Sequence, residues 1–111
     1  MDKVVNKNKE VIPLVMMVID ASMLEDVSWI PFSDTGFEGD VFSFKITNSS
    51  NTEIYVSFDG SEAHDYIEPN SITTYDFSDG RMISKGTKIY INGEPGIGEI
   101  FISGFYDNSS I

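Results

Sequence analysis

Apolar and polar residues alternate with a period of two over several short runs, the pattern of strands that bury one face. The clearest is residues 54–60 (IYVSFDG), where Ile54, Val56 and Phe58 take one face and Tyr55 and Ser57 the other. It is predicted as a central strand that ends at the turn-forming pair Asp59-Gly60. Residues 41–47 repeat the rhythm, with Phe42, Phe44 and Ile46 set against Ser43, Lys45 and Thr47, and run into the polar tract Asn48-Ser49-Ser50-Asn51. That tract reads as a turn, so residues 41–47 and 52–58 are expected to form an antiparallel hairpin. A short edge at Tyr66-Ile67, a turn at Glu68-Pro69-Asn70 and a strand over residues 71–77 (SITTYDF) follow. Residues 87–92 (TKIYIN) and 99–106 (EIFISGFY) flank the glycine-rich link 93–98 (GEPGIG) and predict a second hairpin. Gly104, inside the last strand, marks a bulge or a close backbone approach.

The N-terminal third is less regular. Residues 11–19 (VIPLVMMVI) are continuously apolar, which predicts a strand covered on both faces, with Pro13 confining it to an edge or to the strand's start. In so small a domain one of those covers is expected from another chain; the alternative is a tightly packed monomer in which Met16 and Met17 fill gaps. Ser22, followed by Glu25, is placed as the N-cap of a helical stretch of at most two turns. Trp29 is expected in the core together with Phe42, Phe44, Ile54, Val56, Phe58, Ile89, Ile91, Ile100 and Ile102. Residues 1–10 (MDKVVNKNKE) follow neither period and read as a flexible arm, free or lying along a neighbouring subunit. Seven or eight short strands with turn signals at roughly ten-residue intervals predict an all-β fold. The expected architecture is a single antiparallel β-sandwich, Ig-like or jelly-roll-like, over residues 11–111.

Composition narrows the classes. A chain of 111 residues, 41% hydrophobic and 13% aromatic, can fill one core without disulfides or a structural metal. It has no cysteine, which removes thiolate nucleophiles and zinc fingers together. A formal charge of -11 disfavours nucleic acid and anionic membranes as partners. Lys3, Lys7 and Lys9 form the only basic cluster. Residues 11–19 fall short of the ~20 needed to span a bilayer and lack a small-residue cleavage site, so synthesis in a cytoplasm is expected.

Little chemistry is apparent. His64, the only histidine, sits between Glu62 and Asp65 without a nucleophile and reads as a turn residue on a polar rim. No catalytic residue, cofactor or metal ligand is assigned, and the chain is expected not to be an enzyme. Asp34, Glu38 and Asp40 are hard-cation ligands by type, but their spacing is not that of an EF-hand, and a solvated acidic loop is the expectation. Tyr55, Tyr75, Tyr90 and Tyr106 alternate with apolar neighbours; outward rings suit protein interfaces, sugar stacking or cross-strand pairs in their own sheet.

The order of residues 54–60 (IYVSFDG), 64–70 (HDYIEPN), 85–90 (KGTKIY) and 98–106 (GEIFISGFY) resembles small structural proteins of tailed bacteriophages, over about residues 46–106. Those are β-sandwich virion components without known enzymatic activity, present in many symmetric copies. The resemblance implies a head decoration, neck, collar or ring subunit located in the virion, with copies of itself and other capsid, portal or tail proteins as partners. Contacts are expected through the arm and Val11, Ile12, Leu14, Met16 and Met17, and through Tyr55, Tyr90 and Tyr106. The alternative is a carbohydrate-binding module, calcium-dependent or not, that uses Trp29 or outward tyrosines with the acidic loops at residues 33–40 or 59–65.

Overall fold

The computed structural model describes residues 11–77 and 80–107. Among these residues nine strands form two antiparallel sheets that pack face to face as a small β-sandwich. The strands are β1 (Val11–Pro13), β2 (Met17–Asp20), β3 (Ile30–Pro31), β4 (Val41–Ser50), β5 (Ile54–Ser57), β6 (Asp65–Ile67), β7 (Ser71–Asp76), β8 (Tyr90–Asn92) and β9 (Gly98–Asp107). The first sheet runs β1-β9-β4-β7, with β2 continuing β1 along the same edge of β9; the second runs β3-β8-β5-β6. The expected arm at residues 1–10 lies outside the described residues.

The two ten-residue strands β4 and β9 set the long axis, about 30 Å by the rise of an extended chain. Each buries alternate residues: Phe44, Ile46 and Asn48 on β4, Ile100 and Ile102 on β9. Against them pack Ile54, Val56, Ile67, Ile89 and Ile91 of the second sheet and its flanks, giving one continuous core. Phe44 stacks on Tyr75 at 4.7 Å and meets Phe37 edge-on at 5.5 Å. Seven of the ten expected core residues are buried here. Phe58 packs half-buried against the cluster, whereas Trp29 and Phe42 are half-buried and stand outside it. Phe42 borders a register shift between Val41 and Ser43, where the alternation of β4 is interrupted.

The central place of residues 54–58 holds, since β5 pairs with both β6 and β8. Neither expected hairpin forms. β4 pairs with β7 and β9 and lies in the other sheet from β5; β8 pairs with β3 and β5, and β9 with β1, β2 and β4. The polar tract after residue 47 is not a turn but the last part of β4, because Asn48 and Ser50 stay in phase with the buried face. The chain then crosses between sheets at residues 51–53, and crosses back at 93–97. Gly98 makes that return possible: its φ is +119° and a Cβ would lie 2.3 Å from the Ser49 carbonyl oxygen. Gly104 is the expected close approach, with a Cβ position 2.4 Å from the Ser43 carbonyl oxygen and 2.6 Å from Phe44 Cα.

Residues 11–19 do not form one strand buried on both sides. They make β1 and β2, broken over residues 14–16, at the outer edge of the sheet. Their inward residues Leu14 and Ile19 are buried, while Val11, Val15, Met16 and Val18 are exposed. Among the described residues no element covers the outer face of β9, so only one cover is present. The expected two-turn helix is a single 3-10 turn, Ala21–Met23, and its cap is Asp20, whose Oδ1 accepts from the Ser22 backbone N–H at 2.9 Å. The short side chain of Asp20 occupies the capping position that Ser22 was expected to fill.

Candidate functional site

The sandwich has two distinct ends. β1 and β9 run antiparallel with Val11 opposite Asp107, so the chain enters at the end where β9 finishes. The residue 58–64 loop lies at this same end, beyond Ser57 of β5. At the far end, β4 finishes at Ser50 and β9 begins at Gly98. Here the two sheet-crossing loops and the residue 24–29 loop leave a cleft of about 570 Å³. Gly93 N–H donates to the Glu25 carbonyl and Gly96 N–H to the Ala21 carbonyl, which ties the loops together.

The cleft carries carboxylates from three loops, Asp26, Glu53 and Glu94, and the amides Asn51 and Asn92; no Lys or Arg among the described residues lines it. Asn51 Oδ1 accepts from the Ile97 backbone N–H at 2.9 Å, which fixes that side chain. Tyr55 forms one wall. It pairs across β5 and β6 with Tyr66, rings 5.3 Å apart, and both are 41% exposed. The Tyr66 hydroxyl donates to Glu53 Oε2 at 2.8 Å, which ties the tyrosine pair to one carboxylate of the rim.

That bond raises the Tyr66 pKa to about 12, because the Glu53 carboxylate holds the phenolic proton, with desolvation and its negative charge adding to the shift. A phenol whose folded pKa is raised stabilises the fold below its unfolded value near 10, and the contribution fades as pH climbs from there to about 12. A spectroscopic titration is expected to show Tyr66 ionising at about 12, and Glu53→Gln should bring its midpoint back towards 10. An unchanged midpoint would mean that the Glu53 bond does not hold the phenol. Sequence reading passed over Tyr66, placing its strand as an edge without asking what lay opposite; the period-two partner of Tyr55 was the available signal.

At the other end, Asp59, Glu62 and His64 bring three ligand-type atoms within 4.8 Å of one another. The chemistry does not suit a metal. The Phe58 backbone N–H donates to His64 Nδ1 at 3.0 Å, so the ring proton sits on Nε2, which faces Asp59 Oδ2 at 3.8 Å. A metal-bound imidazole has the opposite arrangement, its second nitrogen donating outward. Asp59 Oδ1 is taken up by the Glu62 and Ser61 backbone N–H groups and the Ser57 hydroxyl. These bonds, the Glu62 one foremost, hold its carboxyl below the usual range. The other acids named as calcium ligands, Asp34, Glu38 and Asp40, form no such group, and the Lys85 backbone N–H donates to Asp40 Oδ1 at 2.7 Å.

The expected contact residues divide. Val11, Met16 and Tyr55 are exposed; Ile12, Met17 and Tyr90 are half-buried. Leu14 and Tyr106 are buried in this chain's own core, because both belong to the inward face of the first sheet. Tyr75 is likewise turned in, and its hydroxyl donates to Asp65 Oδ2 at 2.5 Å. Burial, followed by that bond, pushes its phenol far above the ordinary range. The outer face of the first sheet holds an apolar row that the sequence did not reveal, Val18, Phe101, Thr47 and Ile72, directly opposite one another across four strands. Phe105 and Pro13 pair four residues further along the same face, beyond the polar row Ser103, Lys45 and Thr74.

Comparison of the chain with known protein families, with curated proteins and with solved structures finds no match. Among the described residues no helix is long and apolar enough to cross a membrane.

Proposed function

We propose that this chain is a non-enzymatic structural subunit that assembles in multiple copies, of the virion type its sequence resembles. The observation that carries the reading is the apolar outer face of the first sheet. Val18, Phe101 and Ile72 share one row there, and Phe105, Val11 and Met16 extend it towards the sheet edge. Two apolar patches on one face, with the polar row Ser103, Lys45 and Thr74 between them, suit burial against a partner. His64, the single candidate for acid–base work, accepts a backbone hydrogen bond at Nδ1 and serves the loop's own geometry.

Light scattering tests the assembly. A mass that is a multiple of 12.4 kDa is expected, and Val18→Glu with Phe105→Glu should return it to one chain, since each places a carboxylate in an apolar patch. A chain that stays at 12.4 kDa at every concentration removes the reading.

A second reading has its own observation. Tyr55 and Tyr66 lie side by side at the rim of a cleft furnished with carboxylates and amides, the combination that binds neutral sugars by stacking and hydrogen bonding. Retention on immobilised oligosaccharides, lost in Tyr55→Ala, would establish it.

A further inference from the structure

The geometry points to a head-to-tail contact in which the lysine-bearing first ten residues of one copy occupy the acidic, tyrosine-walled cleft of the next. This inference rests on the assembly reading and assigns the cleft its occupant. Charge comes first. Three of the seven basic residues, Lys3, Lys7 and Lys9, stand in the first ten positions beside two acids, which leaves four cations against sixteen carboxylates in the remainder. The cleft concentrates that imbalance, with Asp26, Glu53 and Glu94 around Tyr55 and no cation among the described residues lining it. An ammonium there meets carboxylates and an aromatic face together, which suits a lysine better than any neutral group.

Distance keeps Lys7 and Lys9 out of the chain's own cleft. Val11 lies opposite Asp107, whereas the cleft lies beside Gly98, nine residues away along β9, or about 30 Å. Lys9 is two residues from Val11 and Lys7 four, which gives backbone reaches of about 7 and 14 Å, while Lys3, eight residues away, spans about 28 Å only at full extension. The acceptor for Lys7 and Lys9 is therefore a second copy. Because donor and acceptor lie at opposite ends of the sandwich, the contact is heterologous and closes into a ring where the rotation between copies allows.

Zero-length carbodiimide cross-linking of the full chain tests the contact, using an equal mixture of ¹⁵N-labelled and unlabelled protein so that links between copies are recognised by mass. Mixed-isotope links from Lys3, Lys7 or Lys9 to Asp26, Glu53 or Glu94 are expected. Reversing the three lysines to Glu should weaken association about tenfold, as three exposed ion pairs would, and added Asp26→Lys and Glu94→Lys should restore it. An assembled protein whose arm links elsewhere, or only within one chain, overturns the cleft contact while the assembly reading stands. A protein of single-chain mass overturns both. Oligosaccharide binding that Tyr55→Ala removes, with no arm links at the cleft, gives the site to sugar and likewise overturns the contact.

Discussion

Removal of residues 1–19 is expected to unfold the protein, whereas removal of residues 1–10 should leave it folded. The longer deletion takes β1 and most of β2 from β9, and with them the buried Leu14 and Ile19. Leu14 and Ile19 each correspond to a core truncation of about 2–5 kcal/mol. Together they approach the whole stability of a domain this size, about 5–15 kcal/mol. Circular dichroism melting of the two variants beside the full chain gives the answer. A cooperative transition in the variant lacking residues 1–19 would show that β1 and β2 are accessory to the core. The distinction bears on assembly, because a contact test on the longer deletion would mistake an unfolded chain for one that lacks its contact. The shorter deletion removes Lys3, Lys7 and Lys9 and keeps every buried side chain described above.

Replacing Asn48 by Ala should cost about 3 kcal/mol and lower the melting temperature on the order of 15 °C. The side chain is fully buried at the cleft end of β4. Its Nδ2 donates to the Thr52 carbonyl at 2.8 Å, and also faces the Glu68 and Ile67 carbonyls at 3.1 and 3.3 Å. Its Oδ1 accepts from the Ser50 backbone N–H and the Ser50 hydroxyl, at 3.1 and 2.6 Å. One amide therefore joins the first sheet, the crossing at residues 51–53 and the turn between β6 and β7. Alanine would leave those carbonyls buried without a donor, and a carbonyl desolvated in this way costs more than the bond it loses. Asp retains the acceptor and lacks the donors, so Asn48→Asp should destabilise at least as much near neutral pH. A shift of only a degree or two in either variant would mean that water replaces the amide at these carbonyls. Asn51–Glu53 and Pro69 also line the cleft, so the loss of Asn48 should loosen the proposed acceptor as well as the fold.

Much of the architecture was legible in local pattern. Period-two alternation located β4, β5, β7 and β9 and placed Phe44, Ile54, Val56, Ile100 and Ile102 in the core, because a strand's facing is set by neighbours two positions away. Gly104 was identifiable as a close approach, since a glycine within a strand has no packing role of its own. The absence of cysteine and the clustering of lysines in the first ten residues are likewise properties of the sequence alone.

Partnership was not legible. Alternation states which way a side chain faces and is silent on which strand lies beside it, so adjacent runs were joined as hairpins when the chain in fact crosses between sheets. Asn48 shows why: its residue type belongs to turns, its phase to the core, and only the carbonyls of Ile67 and Glu68, about twenty residues away, decide between them. Leu14 was assigned to an interface because its run is continuously apolar, and Tyr106 because it alternates with apolar neighbours, yet the sandwich had an inner face for each. The cleft comes from four segments distant in sequence and brought together at one end, separated from the chain's entry by the length of β9. The sequence by itself determined the strands, their faces and the charge asymmetry; the tertiary structure alone decided which faces meet and which ends stand apart, because both depend on long-range pairing that no local period encodes.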